Sequence, residues 1–483
     1  MATCMTAAAQ KRPLKYAAVA LNNTYYYTII DTTGKTLVDS ILRPDPVEPY
    51  GWRYDEGIFK FEKDGKYGYK GLDKTVILPA VYDEVTDFVN NAGIVTKDGK
   101  MGVVNRSGKW TVPLQYRYIA HADTNGLLVV IDEGGLLGLM TVRGKTVVKP
   151  SYNVYQERPK FSGGLLPVAV RNQHRNTFFE NLHIGFLNTA GRLVVDTVWE
   201  TDRGMWRDVR STLGSQTAGM CSRGIAALHE AANRNPFVPL QDYYRFSGGM
   251  ALARKGGKNV IIDTTGRVLA ALPDSLQNLY NYGGLFGFHE DETAAKSLGR
   301  RPGYGLYSSS KGIVYSGPAV PQGEIRDGFI LLKNGNTFKG SADTYWFLDR
   351  EGTPAFGGRT FEYAQSFNSG YAMVSFMHNG RRQNGLLDTR GRIMVYDSTT
   401  MPSHRPSDNG WFIISTSTGW GFIDSNGKRR IPPVYEMVHP FRNGYAPFRK
   451  RNEGLGYIDE GNNIIIKGQY YDVSAFQVFR IIN

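Results

Sequence analysis

An internal repeat is the feature that most constrains how this chain can fold. Eleven segments of the sequence fit one frame, and a glycine column recurs through them. Neighbouring glycines lie 34 residues apart between Gly68 and Gly102 and 35 residues apart between Gly421 and Gly456. The full column is Gly68, Gly102, Gly138, Gly185, Gly305, Gly385, Gly421 and Gly456. A short unit of this kind cannot bury its apolar face alone, so the chain is expected to fold as an array of stacked units.

Two further columns predict a tight turn in each unit. Asp or Asn follows the glycine column by three residues in eight copies, and another Gly follows three residues later in eight copies. The segment from Asp424 to Gly427 is an example. We expect the Asp side chain to accept a hydrogen bond from the amide two residues on, and the Gly to adopt the left-handed conformation at the exit of a hairpin loop.

The residues around this turn indicate three strands per unit. One follows a Phe-x-x-Gly segment such as Phe441 to Gly444, one contains the glycine column, and one follows the turn and runs into Pro-x-x-Tyr, as at Pro432 to Tyr435. Glycine weakens a strand unless something must come close, so the column predicts tight packing of one unit on its neighbour. Proline is expected to mark a strand end or edge, and the tyrosine ring to cover the adjoining unit.

Taken together, these motifs resemble the WG repeats of bacterial proteins. The resemblance covers roughly residues 20–200 and 242–475, although Trp precedes the column glycine only at Trp420. It implies an all-β repeat fold and an interaction role, and it carries no catalytic residues onto this chain.

We therefore predict an all-β protein of about eleven three-stranded units, each of roughly 35 residues, arranged as propeller-like blades or, alternatively, as an open β-superhelix. The predicted organisation is a leader or disordered tail over 1–16, a first array over 17–200, a partly helical insertion over 201–241 and a second array over 242–483. The helix signal is Ser222 as a cap before Ile225 and Leu228 at helical spacing, with Pro236 as the stop.

Candidate chemistry in the sequence does not assemble into a catalytic or metal motif. His229 and Glu230 begin like a zinc-protease helix, but Asn233 stands where the second histidine is needed. The acidic segment 289–293 lies in one predicted loop, whereas a glycosidase needs two opposed carboxylates. Cys4 and Cys221 have neither disulfide-framework nor metal spacing. We predict no metal, no cofactor and no enzymatic activity, with a propeller-type hydrolase as the less favoured alternative.

A recurring base is the strongest candidate for function. Seven of the eight turn glycines are followed by a cation, and the chain carries a formal net charge of +13. The residues are Lys35, Lys109, Lys145, Arg192, Arg267, Arg392 and Lys428. They predict a basic rim that contacts an anionic partner. The alternative is that these cations only keep hairpin tips soluble.

The expected function is a non-catalytic interaction scaffold that binds a protein or an anionic glycan, with a carbohydrate-binding module as the alternative. Nucleic acid is an improbable partner, and no stretch reaches the length of about 18 apolar residues that a membrane span requires. The small residues of the segment 1–10 resemble the end of a signal peptide, which favours a periplasmic or extracellular location over a cytoplasmic one.

Overall fold

The chain is built from short antiparallel β-strands. The computed structural model describes residues 14–23, 25–43, 46–48, 51–52, 56–122, 126–154, 159–171, 182–200, 244–290, 303–334, 343–396, 400–403 and 405–478. In these ranges the only helical element is a single 3-10 turn at Phe356–Gly358, and no helix is long and apolar enough to cross a membrane. The predicted helical insertion over 201–241 lies outside the described residues, as does the predicted leader up to residue 13.

Short strands occur at regular intervals along the chain. The first twelve are β1 (Lys15–Ala20), β2 (Tyr26–Asp31), β3 (Thr36–Leu42), β4 (Pro46–Glu48), β5 (Gly51–Trp52), β6 (Ile58–Lys63), β7 (Lys66–Gly71), β8 (Val76–Tyr82), β9 (Glu84–Val85), β10 (Ala92–Lys97), β11 (Lys100–Asn105) and β12 (Trp110–Tyr116). The next twenty-two are β13 (Tyr118–His121), β14 (Leu127–Ile131), β15 (Leu136–Thr141), β16 (Thr146–Asn153), β17 (Leu165–Arg171), β18 (Leu182–Asn188), β19 (Leu193–Glu200), β20 (Met250–Lys255), β21 (Lys258–Asp263), β22 (Val268–Ala271), β23 (Leu276–Asn281), β24 (Leu285–Glu290), β25 (Tyr304–Ser308), β26 (Gly312–Gly317), β27 (Val320–Pro321), β28 (Phe329–Asn334), β29 (Thr344–Asp349), β30 (Tyr363–Ala364), β31 (Tyr371–His378), β32 (Arg381–Asp388), β33 (Ile393–Tyr396) and β34 (Met401–Pro402). The last nine are β35 (Phe412–Thr416), β36 (Gly419–Ile423), β37 (Arg429–Tyr435), β38 (Met437–Val438), β39 (Tyr445–Arg449), β40 (Leu455–Asp459), β41 (Ile464–Tyr470), β42 (Asp472–Val473) and β43 (Gln477–Val478).

Each of the eleven copies in the sequence corresponds to one set of antiparallel strands, which we call a module; nine modules lie in separate sheets, and β13–β16 and β17–β19 share one seven-stranded sheet. The all-β repeat fold is thereby confirmed. In β9–β12, β13–β16 and β38–β41 the order of strands is sequential, with the column glycine in the third of the four. Three of these strands match the prediction. The additional first strand, often of only two residues, was not indicated by the sequence.

The additional strand comes from the segment that follows the Pro-x-x-Tyr strand of the preceding module. β9 follows Tyr82 and pairs with β10, and β38 follows Tyr435 and pairs with β39. After the last copy, β42 supplies the additional strand of the first module, because Val473 pairs with Val19 of β1. The two ends of the chain therefore share one sheet. β1 begins at Lys15, within the segment 1–16 that was predicted to be a leader or tail.

The modules group into two compact units. The first unit is formed by residues 1–114 and 406–483, and the second by residues 115–405. These bounds differ from those of the predicted arrays, 17–200 and 242–483. The array boundary stays a prediction because it falls on residues outside the described ranges. The choice between a propeller and an open superhelix likewise stays a prediction.

The hydrophobic core of the first unit lies between successive modules rather than within one. Phe422, Tyr435 and Phe448 pack together between β35–β37 and β38–β41. Tyr457 and Phe476 then pack against Val19 of the first module. Further clusters join β1–β3 to β6–β8 and β6–β8 to β9–β12. Tyr435 is only 3% exposed and its hydroxyl donates to Asn462 Oδ1 at 2.6 Å, so its ring covers the adjoining module as predicted.

The second unit repeats this pattern through six modules. Clusters link β13–β16 to β17–β19, then β17–β19 to β20–β22, and β20–β22 to β23–β26. Two more link β23–β26 to β27–β29 and β27–β29 to β30–β33. Within this unit, a module that lies between two others therefore buries one face on the module before it and the other on the module after it, which is why a single module cannot be stable alone.

The column glycine makes room for a bulge in its own module. Trp420 pairs with Tyr435 and Phe422 with Ile431, so the three residues 432–434 lie opposite Gly421 alone. A Cβ on Gly421 would lie 2.5 Å from the Ile431 oxygen and 2.7 Å from the Pro432 carbonyl carbon. The prediction that this glycine packs on the neighbouring unit is therefore wrong. It permits the Pro-x-x-Tyr bulge, which is also why proline is tolerated inside this strand.

The turn glycine is the one that contacts the neighbour. A Cβ on Gly108 would meet the oxygen of Ile77 in the preceding module, and one on Gly266 would lie 2.8 Å from Val195 Cγ1. Gly191 and Gly352 approach the preceding module in the same way. These glycines have φ between +75° and +84°, a region that other residues rarely adopt. Successive modules are thus held together at the turn.

Candidate functional site

The turn at the end of each glycine strand has one recurring geometry. Asp31 Oδ1 accepts hydrogen bonds from the amides of Thr33 at 2.8 Å and Lys35 at 3.1 Å, and the Gly34 amide donates to the Asp31 carbonyl at 3.0 Å. The predicted turn is confirmed. Asn105, Asn188, Asp263, Asp349, Asp388 and Asp424 make the same pair of side-chain contacts.

The seven predicted bases all stand directly after this turn, and all are exposed. Their positions are Lys35, Lys109, Lys145, Arg192, Arg267, Arg392 and Lys428. Each is the last turn residue before the following strand of its module. Because the turn glycine contacts that same strand in the preceding module, the turns of successive modules lie on the same side of each unit. The structure therefore places these bases at equivalent positions.

The seven bases differ in whether an acidic side chain lies close to them. Arg267 Nε lies 3.2 Å from Asp263 Oδ2, and Arg392 Nε lies 2.8 Å from Asp388 Oδ2. Lys35 lies close enough to Asp31 to help lower the pKa of that carboxyl. In the described part of the chain no ion pair is found for the remaining four bases, which are Lys109, Lys145, Arg192 and Lys428.

The turn carboxylates are committed to the turn itself. Burial raises the pKa of Asp424, but hydrogen bonds from the amides of Asn426 and Lys428 and the Arg430 guanidinium at 2.8 Å outweigh burial. The pKa of Asp424 is therefore held below its usual value. A carboxylate bonded in this way offers little to an external ligand, so the exposed cations dominate the charge of the turn.

An apolar column beside the bases was missed in the sequence. In six modules an exposed aliphatic or aromatic residue stands at the start of the strand after the turn, as the first residue in five modules and as the second in β26, which begins at Gly312. These residues are Val76 at 53%, Trp110 at 39%, Leu193 at 40%, Val268 at 41%, Ile313 at 53% and Ile464 at 43% exposed. The signal was available, because the residue lies at a fixed distance from the turn. In each unit separately, we call the bases and these apolar residues the turn-end surface of that unit.

Among the residues that the structure describes, the other candidates do not form a site. His289 packs against the Tyr304 ring at 4.3 Å, and burial lowers its pKa. The rest of the acidic segment 289–293 after Glu290 lies outside the described residues, as do His229 and Glu230. In the ranges that the structure covers, no group of His, Cys, Asp and Glu could hold a metal ion.

Comparison with known proteins gives one informative match. A family model described as a WG-containing repeat matches residues 67–100, 101–135, 420–453 and 456–477. No curated protein sequence matches.

Solved structures resemble the chain only distantly. A eukaryotic initiation factor has 10% identity and a TM-score of 0.36, over 79% of this chain and 97% of that one. Apo AztD from Citrobacter koseri has 9% identity and a TM-score of 0.27, over 98% and 100%. PorZ of the type-IX secretion system of Porphyromonas gingivalis has 8% identity and a TM-score of 0.21, over 90% and 67%. These scores carry no argument about function. The matched repeats coincide with modules that show the glycine bulge and the turn, so the chain contains WG repeats at these four places.

Proposed function

We propose that this chain is a non-catalytic interaction scaffold whose turn-end surface binds an acidic protein partner. The observation that carries the proposal is an exposed base directly before an exposed apolar side chain in three modules, Lys109 with Trp110, Arg192 with Leu193 and Arg267 with Val268. Four further turns carry the exposed base alone, and three further modules carry the exposed apolar residue alone. A repeated pair of this kind supplies many weak contacts that act together.

The combination favours a protein partner over a purely anionic polymer. Exposed aliphatic and aromatic side chains contribute to binding when a partner removes them from water, and cations around them select an acidic partner surface. A polysaccharide or a nucleic acid would use the cations and leave Val76 or Ile313 without a role. An anionic glycan is therefore the alternative that the experiment must separate.

The proposal includes two further parts. The scaffold is non-catalytic, which is supported by the commitment of the turn carboxylates to backbone hydrogen bonds. It acts in the bacterial cell envelope, outside the cytoplasm, which is supported by the run of small residues in the segment 1–10. Cell fractionation with an antibody against the chain tests the location, and recovery in the cytoplasmic fraction alone would contradict it.

The binding proposal is tested by capture from envelope extracts with the purified chain, in low and high salt, followed by mass spectrometry. A variant with Val76→Thr and Ile464→Thr removes two exposed apolar side chains from the turn-end surface of the first unit. The matched control carries Val81→Thr and Val434→Thr, which are 45% and 60% exposed on bulges at the opposite end of their strands. Both changes keep a β-branched residue in the strand.

We expect one stoichiometric protein that is captured in high salt, is weakened by the turn-end variant and is unaffected by the control. Capture of polysaccharide alone, lost in high salt, would overturn the protein partner and favour the glycan. Equal loss in both variants, or no specific capture by the unmodified chain, would also overturn the proposal.

A further inference from the structure

A groove in the second unit lies apart from the turn glycines and has the character of a ligand site. It opens between the modules β27–β29 and β30–β33 and has a volume of about 390 Å³. Sites for small ligands begin at about this size. Its apolar part is formed by Leu331 and Phe367, and its polar rim includes Gln322, Arg326 and Gln365.

Two tyrosines form one wall of the groove. Tyr345 and Tyr363 meet edge to face, with ring centroids 5.6 Å apart. The Lys333 ammonium lies 5.5 Å from the centroid of the Tyr345 ring and is paired with Asp343 at 2.7 Å. Tyr345 is only 7% exposed, so the ring that can pack on the C–H side of a sugar is that of the half-buried Tyr363, which Tyr345 supports from behind.

The polar side chains of the groove are held in place by neighbours. Gln365 Nε2 donates to the Tyr363 hydroxyl at 3.2 Å, and Gln322 Nε2 donates to the Val320 carbonyl at 3.0 Å. Asn368 Oδ1 accepts from Ser369 Oγ at 2.9 Å. Amides fixed in this way keep further donors and acceptors for the hydroxyl groups of a ligand.

The positive charge of the groove is not offset by acidic side chains in its described lining. No Asp or Glu lines it among the described residues, and the acids of the flanking segments have other partners. Glu324 pairs with Arg245 at 3.0 Å, Glu362 pairs with Arg382 at 3.3 Å, and Asp327 accepts from the Gly370 amide at 2.8 Å.

Arg326 is the charged side chain in the lining of the groove. Its guanidinium makes no hydrogen bond or ion pair with any residue that the structure describes, and it is exposed at the rim. A guanidinium in this position matches a carboxylate, with which it forms paired charge-assisted hydrogen bonds. Arg405 is engaged with Asn368 Oδ1 at 3.5 Å. One available arginine, Arg326, beside neutral amides and hydroxyls suits a ligand with one acid group and several hydroxyls.

We infer that this groove binds the uronic acid unit of an acidic polysaccharide. The Tyr363 ring receives the sugar ring, the amides contact its hydroxyls and Arg326 pairs with its carboxylate. The inference rests on the proposed function only in treating the chain as a binding protein, and it concerns a different surface from the turn-end surface.

The test is calorimetric titration of the full chain with trigalacturonate, with a hyaluronan tetrasaccharide and with the methyl ester of trigalacturonate. The ester keeps the ring and its hydroxyls but removes the charge. Arg326→Gln should weaken binding of the acid by about tenfold or more, because a charge-assisted hydrogen bond is lost. Arg326→Lys should retain more affinity than Arg326→Gln, since it keeps the charge.

The matched control is Arg143→Gln, which removes an exposed arginine without a described partner from the module β13–β16 of the same unit. It should leave the affinity unchanged. The inference is overturned if neither acidic oligosaccharide binds at millimolar concentration or if the ester binds as well as the acid. It is also overturned if Arg326→Gln and Arg143→Gln change the affinity equally. Capture of a protein partner together with any of these results would refute the groove assignment and leave the scaffold proposal standing.

Discussion

Replacing Gly421 by alanine tests the role assigned to the strand glycine. The added Cβ would lie 2.5 Å from the Ile431 oxygen and 2.7 Å from the carbon and oxygen of Pro432. All of these are backbone atoms of the bulge, so no side chain can move aside. The strand must shift, or the bulge must be lost and with it the pairing of Trp420 with Tyr435.

The size of the effect follows from two opposing contributions. Forcing an extra carbon into a packed site costs about 1–3 kcal/mol. Replacing Gly by Ala restricts the unfolded chain and offsets about 0.5 kcal/mol of this. The net loss of roughly 0.5–2.5 kcal/mol corresponds to amide exchange in the segment 411–435 that is faster by about 2- to 70-fold.

Hydrogen–deuterium exchange with mass spectrometry measures the loss of stability in this segment alone. A local measurement is needed because a chain of two units need not unfold in one step. The matched control is Gly134→Ala. Gly134 has no positive φ, and its nearest neighbour is a side-chain oxygen of Asp132 at 3.3 Å. Exchange in the segment 127–141 should stay unchanged or slow slightly. Equal effects of the two substitutions would refute the bulge as the reason for the glycine.

Two further substitutions test the turn and the chain-end sheet. Burial raises the pKa of Asp388, but hydrogen bonds from the Arg392 amide and guanidinium outweigh burial and lower the pKa. The ionised carboxylate therefore stabilises its module above about pH 4, and this stabilisation is lost as the pH falls through the lowered pKa. Asp388→Asn should keep the turn, as Asn105 and Asn188 do, and should remove that acid sensitivity from amide exchange in 381–396; unchanged acid sensitivity would contradict the assignment. Ser474→Ala should leave the buried Ala18 amide without its acceptor at 2.9 Å and cost about 1–3 kcal/mol. Faster exchange in 15–20 would show this, with the exposed Ser425→Ala as the control, and no difference between the two would contradict the joined chain ends.

The parts of the fold that follow from local chemistry were predictable from the sequence. The Asp-x-x-Gly turn depends on hydrogen bonds within five residues, so Asp31 and Gly34 could be assigned directly. The number of modules followed from the period. The role of Gly421 could not be assigned, because a glycine required by a bulge across one strand leaves the same pattern as one required by a neighbouring unit.

Longer-range features left no periodic signal. The pairing of β42 with β1 joins residues more than 450 positions apart, and nothing in Val473 distinguishes it from other short-strand residues. The groove around Arg326 is lined by side chains outside the repeat columns, so only the folded chain brings them together. The turn bases were predictable as a column, and their exposure and equivalent placement followed from the turn.

The binding role of the turn bases is measured by the salt concentration at which the chain elutes from immobilised heparin, used as an acidic surface. One variant replaces Lys109, Lys145, Arg192 and Lys428 by glutamine. The control replaces Lys63, Lys258, Arg381 and Arg451, four exposed bases at hairpins on the opposite end of their strands, and loses the same charge.

If the turn-end surface binds the acidic partner, the first variant elutes at clearly lower salt than the control, because the loss lies where the cations act together. Identical elution of the two variants would mean that only net charge matters. The recurring turn bases would then have no binding role, contrary to the proposed function.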